Sequence, residues 1–300
     1  MSFTVYQAPR DFTKELRSEL EYFKIPVSRE LGFLFLSPAP AKELTWAEWT
    51  WENAELSNIT SIGSATKLLK SRMRFWQPLS VVEHRRLALI GEGLSLLRSR
   101  ELIFGQQTEF PEFGAFTLLS KEELLYSQNF SPAVPLGHFN FAQSREAPSR
   151  AYLKLWEALT RAGALPKAKE RCLDLGASPG AWTWALRRLG CQVTSVDRSE
   201  LAPDLMQDPQ VQFFKGDAFR FGPEQVGELD WLFSDVICYP EKLFAFVQEW
   251  LASGKCKNFV CTIKFQGEAE PVWLERFRSL GGKVMHLSHN KHEVTWIKLA

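Results

Sequence analysis

The chain has 300 residues, 45% hydrophobic and 24% charged, with a formal net charge of +1. That size and apolar content allow two domains with full cores, and the near-neutral balance excludes nucleic-acid binding through total charge; only a clustered basic surface could do it. No apolar run reaches the ~18 residues of a membrane span, the opening stretch carries Arg10, Asp11 and Lys14 where a secretory leader is apolar, and the five cysteines (Cys172, Cys191, Cys238, Cys256 and Cys261) form no C-x-x-C pair. The expectation is a cytoplasmic protein with no membrane association, no disulfide framework and no metal.

Taken in chain order, residues 15–23 (ELRSELEYF) space their apolar positions as an amphipathic helix, residues 31–37 (LGFLFLS) read as a strand, and residues 45–56 (TWAEWTWENAEL) alternate as a strand crowded with Trp46, Trp49 and Trp51. This describes a small α+β domain. From Lys67 to Arg100 eight basic residues face two acids, Glu83 and Glu92, and Phe75 and Trp76 lie among them. Rings between arginines suit stacking on unpaired bases, although an ordinary helix with a solvated basic face and a buried aromatic end accounts for KLLKSRMRFW equally well. Residues 131–149 contain three prolines and little periodicity, as a linker does, and divide the chain into residues 1–145 and 146–300.

Beyond the division, strand and helix patterns alternate, which predicts a doubly wound sheet. Residues 171–183, RCLDLGASPGAWT, read as a buried strand of Cys172, Leu173 and Leu175, a tight turn at Gly176 and Gly180, and a helix with Pro179 at its start and Trp182, Ala185 and Leu186 on one face. The turn lacks G-x-G-x-x-G spacing and carries Asp174 two residues before its first glycine. A carboxylate there repels pyrophosphate and attracts the ammonium and sulfonium of S-adenosylmethionine. Asp197, 23 residues further on, ends the run CQVTSVD and suits ribose hydroxyls; Asp217 follows VQFFK and suits an adenine amino group. Carboxylates that only cap helices are the competing explanation.

A second constellation suits chemistry. Asp235 ends LDWLFSD, Lys264 ends NFVCTIK, Glu293 begins EVTWIKL, and Lys154 sits in SRAYLKLWEAL ahead of the cofactor turn. In an open α/β sheet the carboxyl ends of parallel strands meet at one crevice, so Asp235 and Lys264 face it, and an antiparallel last strand brings Glu293 to the same edge. Each alone reads most simply as a surface charge, but a lysine closing a run as apolar as FVCTI needs a reason. His286, His289 and His292 in HLSHNKH belong to a polar hairpin loop rather than a metal site.

On these residues the C-terminal half resembles the FtsJ-type ribose 2'-O-methyltransferases, with Lys154, Asp235, Lys264 and Glu293 in the order of that family's Lys-Asp-Lys-Glu tetrad, and DLGASPGAW and SVD as its cofactor turn and second strand end. The resemblance implies a Rossmann-like class I methyltransferase sheet, mostly parallel with its last strand antiparallel, beside a smaller N-terminal α+β domain for RNA. It implies S-adenosylmethionine as cofactor, held by Asp174, Gly176, Ser178, Pro179, Gly180, Ala181, Trp182, Asp197, Asp217 and Asp235. Methyl transfer to a 2'-hydroxyl of large-subunit ribosomal RNA follows, with Lys154, Asp235, Lys264 and Glu293 catalytic and Lys264 as the general base. Two departures lie in the turn: Ser178 and Ala181 stand where similar members carry cysteine and glycine. A third is the N-terminal region, a shortened THUMP-like stretch that cannot hold those members' complete RNA-binding module. The competing readings are a methyltransferase of another substrate, which has no need of two lysines or a basic segment, and a non-catalytic RNA-binding protein on a methyltransferase fold, which would have lost part of the turn or tetrad.

Overall fold

In the computed structural model, which describes residues 2–98, 100–106 and 108–300, the chain divides into units of residues 1–140 and 141–300. The first unit contains β1 (Ser2–Gln7), α1 (Thr13–Tyr22), β2 (Arg29–Leu31), β3 (Leu34–Ser37), β4 (Trp49–Asn58), α2 (Ile62–Arg72), β5 (Phe75–Pro78), α3 (His84–Glu92), β6 (Ser95–Leu96), β7 (Phe113–Leu118), β8 (Glu123–Ser127) and β9 (Asn129–Ser131). The strands form one sheet in the order β2-β3-β1-β4-β8-β7-β5-β6, with β9 also pairing β4. Among the described residues, apolar side chains pack into a cluster around Trp49, Trp51 and Leu36 and into another around Trp76, Leu69 and Phe116.

Three expectations in this unit change. Residues 31–37 are not one strand: the chain turns at Gly32, with φ +60°, so that Leu31 at the end of β2 pairs antiparallel with Leu34 at the start of β3. Trp46 lies outside β4, because the carboxylate of Glu19 on α1 accepts the backbone N–H groups of Thr45 and Trp46, both at 2.9 Å, and takes them out of any ladder. Trp76 is fully buried in β5, its indole N–H donating to the carbonyls of Leu69 and Met73, so it cannot stack on a base. The basic segment instead presents α2 and α3 with Lys67, Lys70, Arg74 and Arg85 exposed and Arg86 half-buried. That is a solvated cationic face, and the ring among its arginines that remains accessible is the half-buried Phe75, beneath the Arg74 guanidinium at 5.0 Å.

The second unit holds α4 (Tyr152–Ala162), β10 (Arg171–Leu175), α5 (Ala181–Arg188), β11 (Gln192–Asp197), α6 (Pro203–Met206), β12 (Val211–Lys215), α7 (Pro223–Val226), β13 (Leu229–Ser234), α8 (Pro240–Ser253), β14 (Cys256–Lys264), α9 (Pro271–Ser279), β15 (Lys283–Met285) and β16 (Glu293–Lys298). Its sheet runs β12-β11-β10-β13-β14-β16-β15. The first five strands are parallel; β16 is antiparallel to β14 and β15 antiparallel to β16, as the sequence reading of the last strand requires. The central strands are nearly continuous apolar runs because helices cover a parallel sheet on both faces.

Register fixes what reaches the carboxyl edge. Leu175 pairs with Val196 and with Ser234, so Asp197 and Asp235 are the next residues out from two strands flanking β10. Lys264 pairs with Glu293 across β14 and β16, which places a lysine and a carboxylate side by side at that edge. The helix α4 supplies the remaining lysine: Tyr152 through Leu159 are all buried, Lys154 and Glu157 included. The fully buried Glu157 is held by Arg161 at 2.8 Å and by the Ser288 backbone N–H at 2.9 Å, which ties α4 to the loop before β16. His286 in that loop is buried, its Nε2 donating to the Lys291 carbonyl at 3.2 Å, and burial pushes its pKa down to about 4.

Candidate active site

The turn between β10 and α5 is shaped by two glycines. Gly176 has φ +76°, and a Cβ there would stand 3.0 Å from the Val236 backbone; Gly180, which precedes α5, has φ +110°. Both conformations are costly for any residue with a side chain. The turn is pinned from β11: Asp197 Oδ2 accepts the Ser178 N–H at 3.0 Å and Oδ1 accepts the Ser199 N–H at 2.9 Å.

A cleft of about 580 Å³ opens at this edge, walled by Gly176, Ser178, Asp197, Asp217, Asp235 and Lys264 among others. Its size suits a cofactor with part of a substrate. Asp217 accepts the Phe219 N–H through Oδ1, and its Oδ2 has no hydrogen-bond partner among the described residues. Asp174, Pro179, Gly180, Ala181 and Trp182 stand behind the wall. Asp174 sits one residue before the strand end, opposite Ser195, so its side chain leaves β10 on the sheet face and not off the edge. There Thr183 on α5 donates to its Oδ2 at 2.7 Å, and the Thr183 hydroxyl also lies 2.8 Å from that of Ser195. Trp182 donates its indole N–H to the Ala151 carbonyl at 2.9 Å, which couples α5 to the start of α4.

Lys154, Asp235, Lys264 and Glu293 come together as a closed cycle of ion pairs. Lys154 Nζ donates to Asp235 Oδ2 at 2.8 Å and to Glu293 Oε1 at 2.9 Å, while Lys264 Nζ lies 2.9 Å from Asp235 Oδ1 and 3.7 Å from Glu293 Oε2. Asp235 and Lys264 line the cleft, whereas Lys154 and Glu293, 7% and 8% exposed, form the rear of the cycle. For Lys154 burial opposes the charge, but Asp235 and Glu293 together outweigh it, so its pKa is raised above the ordinary lysine value and it stays an ammonium.

Several wall residues carry no sequence motif: Val236, Ile237, Cys238 and Tyr239 on the loop after β13, then Lys242, and Phe219 after Asp217. Position directly after the strand-ending Asp235 was the signal that could have found the loop. Burial pushes the Cys238 thiol up to about 11, so it is neutral and a poor nucleophile. Among the described residues no three His, Cys, Asp or Glu side chains gather as metal ligands, and no helix is long and apolar enough to cross a membrane.

The mostly parallel sheet, its antiparallel last strands and the cleft at its carboxyl edge are Rossmann-like, and residues 147–286 match the model of the FtsJ-like methyltransferase family. The matched stretch lies within the second unit and includes the turn, Lys154, Asp235 and Lys264. The chain is similar to ribosomal RNA large subunit methyltransferase M: 32% identical over 178 residues to that of Aromatoleum aromaticum (54% of this chain, 48% of the relative) and 36% identical over 170 residues to that of Halorhodospira halophila (54% and 50%). It spans about half the length of these curated relatives. Among solved structures, the Methanococcus jannaschii fibrillarin pre-rRNA processing protein aligns with TM-score 0.33 and 18% identity, covering 44% of this chain and 67% of that one.

Burial pushes the Asp174 carboxyl up to about 7, so the folded state holds this proton more tightly than the unfolded chain does. The stability linked to that proton is fully present below the ordinary aspartate pKa and is lost as pH rises through about 7. Urea midpoints of the native chain and Asp174→Asn, compared from pH 5 to pH 8, should shift in favour of the amide as pH rises. A difference independent of pH would show that Asp174 is ionised throughout.

Proposed function

We propose that the protein transfers the methyl group of S-adenosylmethionine to a ribose 2'-hydroxyl of RNA, with large-subunit ribosomal RNA as substrate, in the cytoplasm. One observation carries this reading: the four-membered cycle of Lys154, Asp235, Lys264 and Glu293, two of whose members open on the same cleft as Asp197 and Asp217. The family match and the relatives named above support it.

The donor set fits the cofactor. Asp197 is the group to hold its ribose hydroxyls, Asp217 its adenine amino group through the oxygen left over by Phe219, and Gly176, Ser178 and Asp235 its amino-acid end. Asp174, with Pro179, Gly180, Ala181 and Trp182, supports the turn from behind, its Oδ2 held by the Thr183 hydroxyl. When bound, S-adenosylmethionine supplies a methyl group on a positively charged sulfur.

The chain's own residues handle the proton. Lys264, ion-paired with Asp235 and Glu293 in the free protein, must give up its own proton before its Nζ takes that of the 2'-hydroxyl. The ammonium of Lys154 and the carboxylates of Asp235 and Glu293 together carry one negative charge, so the arriving proton neutralises the cycle. Lys154 also fixes both carboxylates, and alignment of two bound reactants supplies up to ~7–11 kcal/mol of the acceleration in favourable cases. The cationic face of α2 and α3 serves to hold RNA phosphates.

Lys264→Ala should lower methylation of protein-free large-subunit ribosomal RNA, read as alkali-resistant linkages, by roughly 10²–10⁴-fold. Lys264→Arg should do little better, because a guanidinium keeps its proton. Near-full activity of the arginine variant would make Lys264 a positioning cation. Calorimetry with S-adenosylhomocysteine should show Asp197→Ala weakened by about 1.5–3 kcal/mol through loss of charge-assisted bonds, and unchanged affinity would remove Asp197 from the cofactor site. Replacing Lys67, Lys70, Arg74 and Arg85 by alanine should flatten the salt dependence of RNA binding by up to roughly 0.7–0.9 log–log units per lost contact. An unaltered slope would mean that this face does not touch phosphate.

A further inference from the structure

The loop joining β13 to α8 runs from Asp235 to the helix start at Pro240 and alternates its side chains: Ile237 and Tyr239 point out, while Cys238 and Pro240 are buried. At 78% and 64% exposure, Ile237 and Tyr239 are the two most exposed large apolar side chains among the described residues. Both stand in the wall of the reaction cleft, in the loop that leads directly out of Asp235. Single exposed apolar residues are common on protein surfaces and need no explanation. The two most exposed, two positions apart beside the ion-pair cycle, do.

Tyr239 is anchored through its backbone. It caps α8, its carbonyl accepting the N–H groups of Lys242 and Leu243 at 3.1 and 3.3 Å, yet its ring has no aromatic neighbour and its phenol no hydrogen-bond partner among the described residues. One helical turn on, the exposed Lys242 stands in the same wall, its ammonium 4.0 Å above the Phe219 ring. An open aromatic face on an anchored backbone, with a cation beside it, matches one nucleotide: a ring for the base and a positive charge for the phosphate. Sequence-reading RNA proteins mostly engage unpaired nucleotides, and an unstacked base needs another surface to cover its face.

We propose that Tyr239 is the stacking platform for the base of the nucleotide to be methylated, with Ile237 at its edge and Lys242 on the adjoining phosphate. This rests on the RNA reading above and adds to it a specificity-determining contact. Stacking of this kind is tolerant of base identity, so the platform sets that the acceptor is an unpaired nucleotide and leaves the choice of sequence to contacts elsewhere.

The test uses the full chain saturated with S-adenosylhomocysteine and three readouts: anisotropy with a fluorescein-labelled unstructured RNA oligonucleotide, KM for protein-free large-subunit ribosomal RNA, and calorimetric affinity for S-adenosylhomocysteine. Tyr239→Ala should weaken oligonucleotide binding roughly 5- to 150-fold and raise KM correspondingly, while Tyr239→Phe, which keeps the ring, stays within about twofold of the native chain. Cofactor affinity should be the same in all three proteins, which also reports that each has folded. The proposal is overturned if Tyr239→Ala binds RNA as the native chain does, if Tyr239→Phe is as weak as alanine, or if cofactor affinity falls in step, which would put the ring against adenine. It falls as well if the native chain binds no RNA. Should the native chain bind RNA with the alanine and phenylalanine difference and methylate nothing, the platform stands and the methyl-transfer reading is the one that fails.

Discussion

The mutual neutralisation of four charges at one sheet edge governs the second unit. Lys154 and Glu293 are almost wholly withdrawn from water, and isolating either charge there would cost several kcal/mol. Each carboxylate therefore bridges both lysines, and each lysine both carboxylates. A well-packed apolar cluster would stabilise a fold at least as well, and it is as part of the proposed site that the four ions have a reason to stand here. Four separate elements, α4, β13, β14 and β16, must arrive together for the cycle to close.

The rest of the unit follows from that requirement. Parallel β10 and β13 end side by side at Leu175 and Ser234, β14 runs past that level from Cys261 to Lys264, and the reversal at β16 sets Glu293 against Lys264. Because α4 precedes the sheet and comes from no strand end, it needs its own restraints: the buried Glu157 ties it to the loop before β16, and the Trp182 indole ties its start to α5. The same helix α5 opens at the glycine turn and reaches Asp174 through Thr183. Cofactor turn and ion-pair cycle are thus mechanically linked through α4 and α5.

The sheet and the cycle were legible in the sequence because both rest on patterns that survive without neighbours. Buried parallel strands are continuous apolar runs, and a charge closing such a run, as Lys264 closes FVCTIK, is conspicuous. What the cofactor turn presents to the cleft was harder to read. Asp174 and Asp197 look alike in sequence, yet Asp174 pairs with Ser195, which leaves the first beneath α5 and puts the second two residues further out, at the edge. The N-terminal unit was read least well for a similar reason: β2, β6 and β9 have three residues or fewer, too short to show a period. Trp46 and Trp76 owe their positions to hydrogen bonds across 27 and 7 residues, which no local pattern records. Ile237 and Tyr239 carried no signal beyond following Asp235.

The central claim is that the ion-pair cycle deprotonates a sugar hydroxyl. Nucleoside mass spectrometry of protein-free large-subunit ribosomal RNA, after incubation with an isotopically labelled methyl donor, tests it most directly, because fragmentation separates the ribose from the base. The account predicts that the labelled methyl leaves with the ribose and that the base fragment stays at its unmodified mass. Label on the base would contradict it, whatever the rate of transfer.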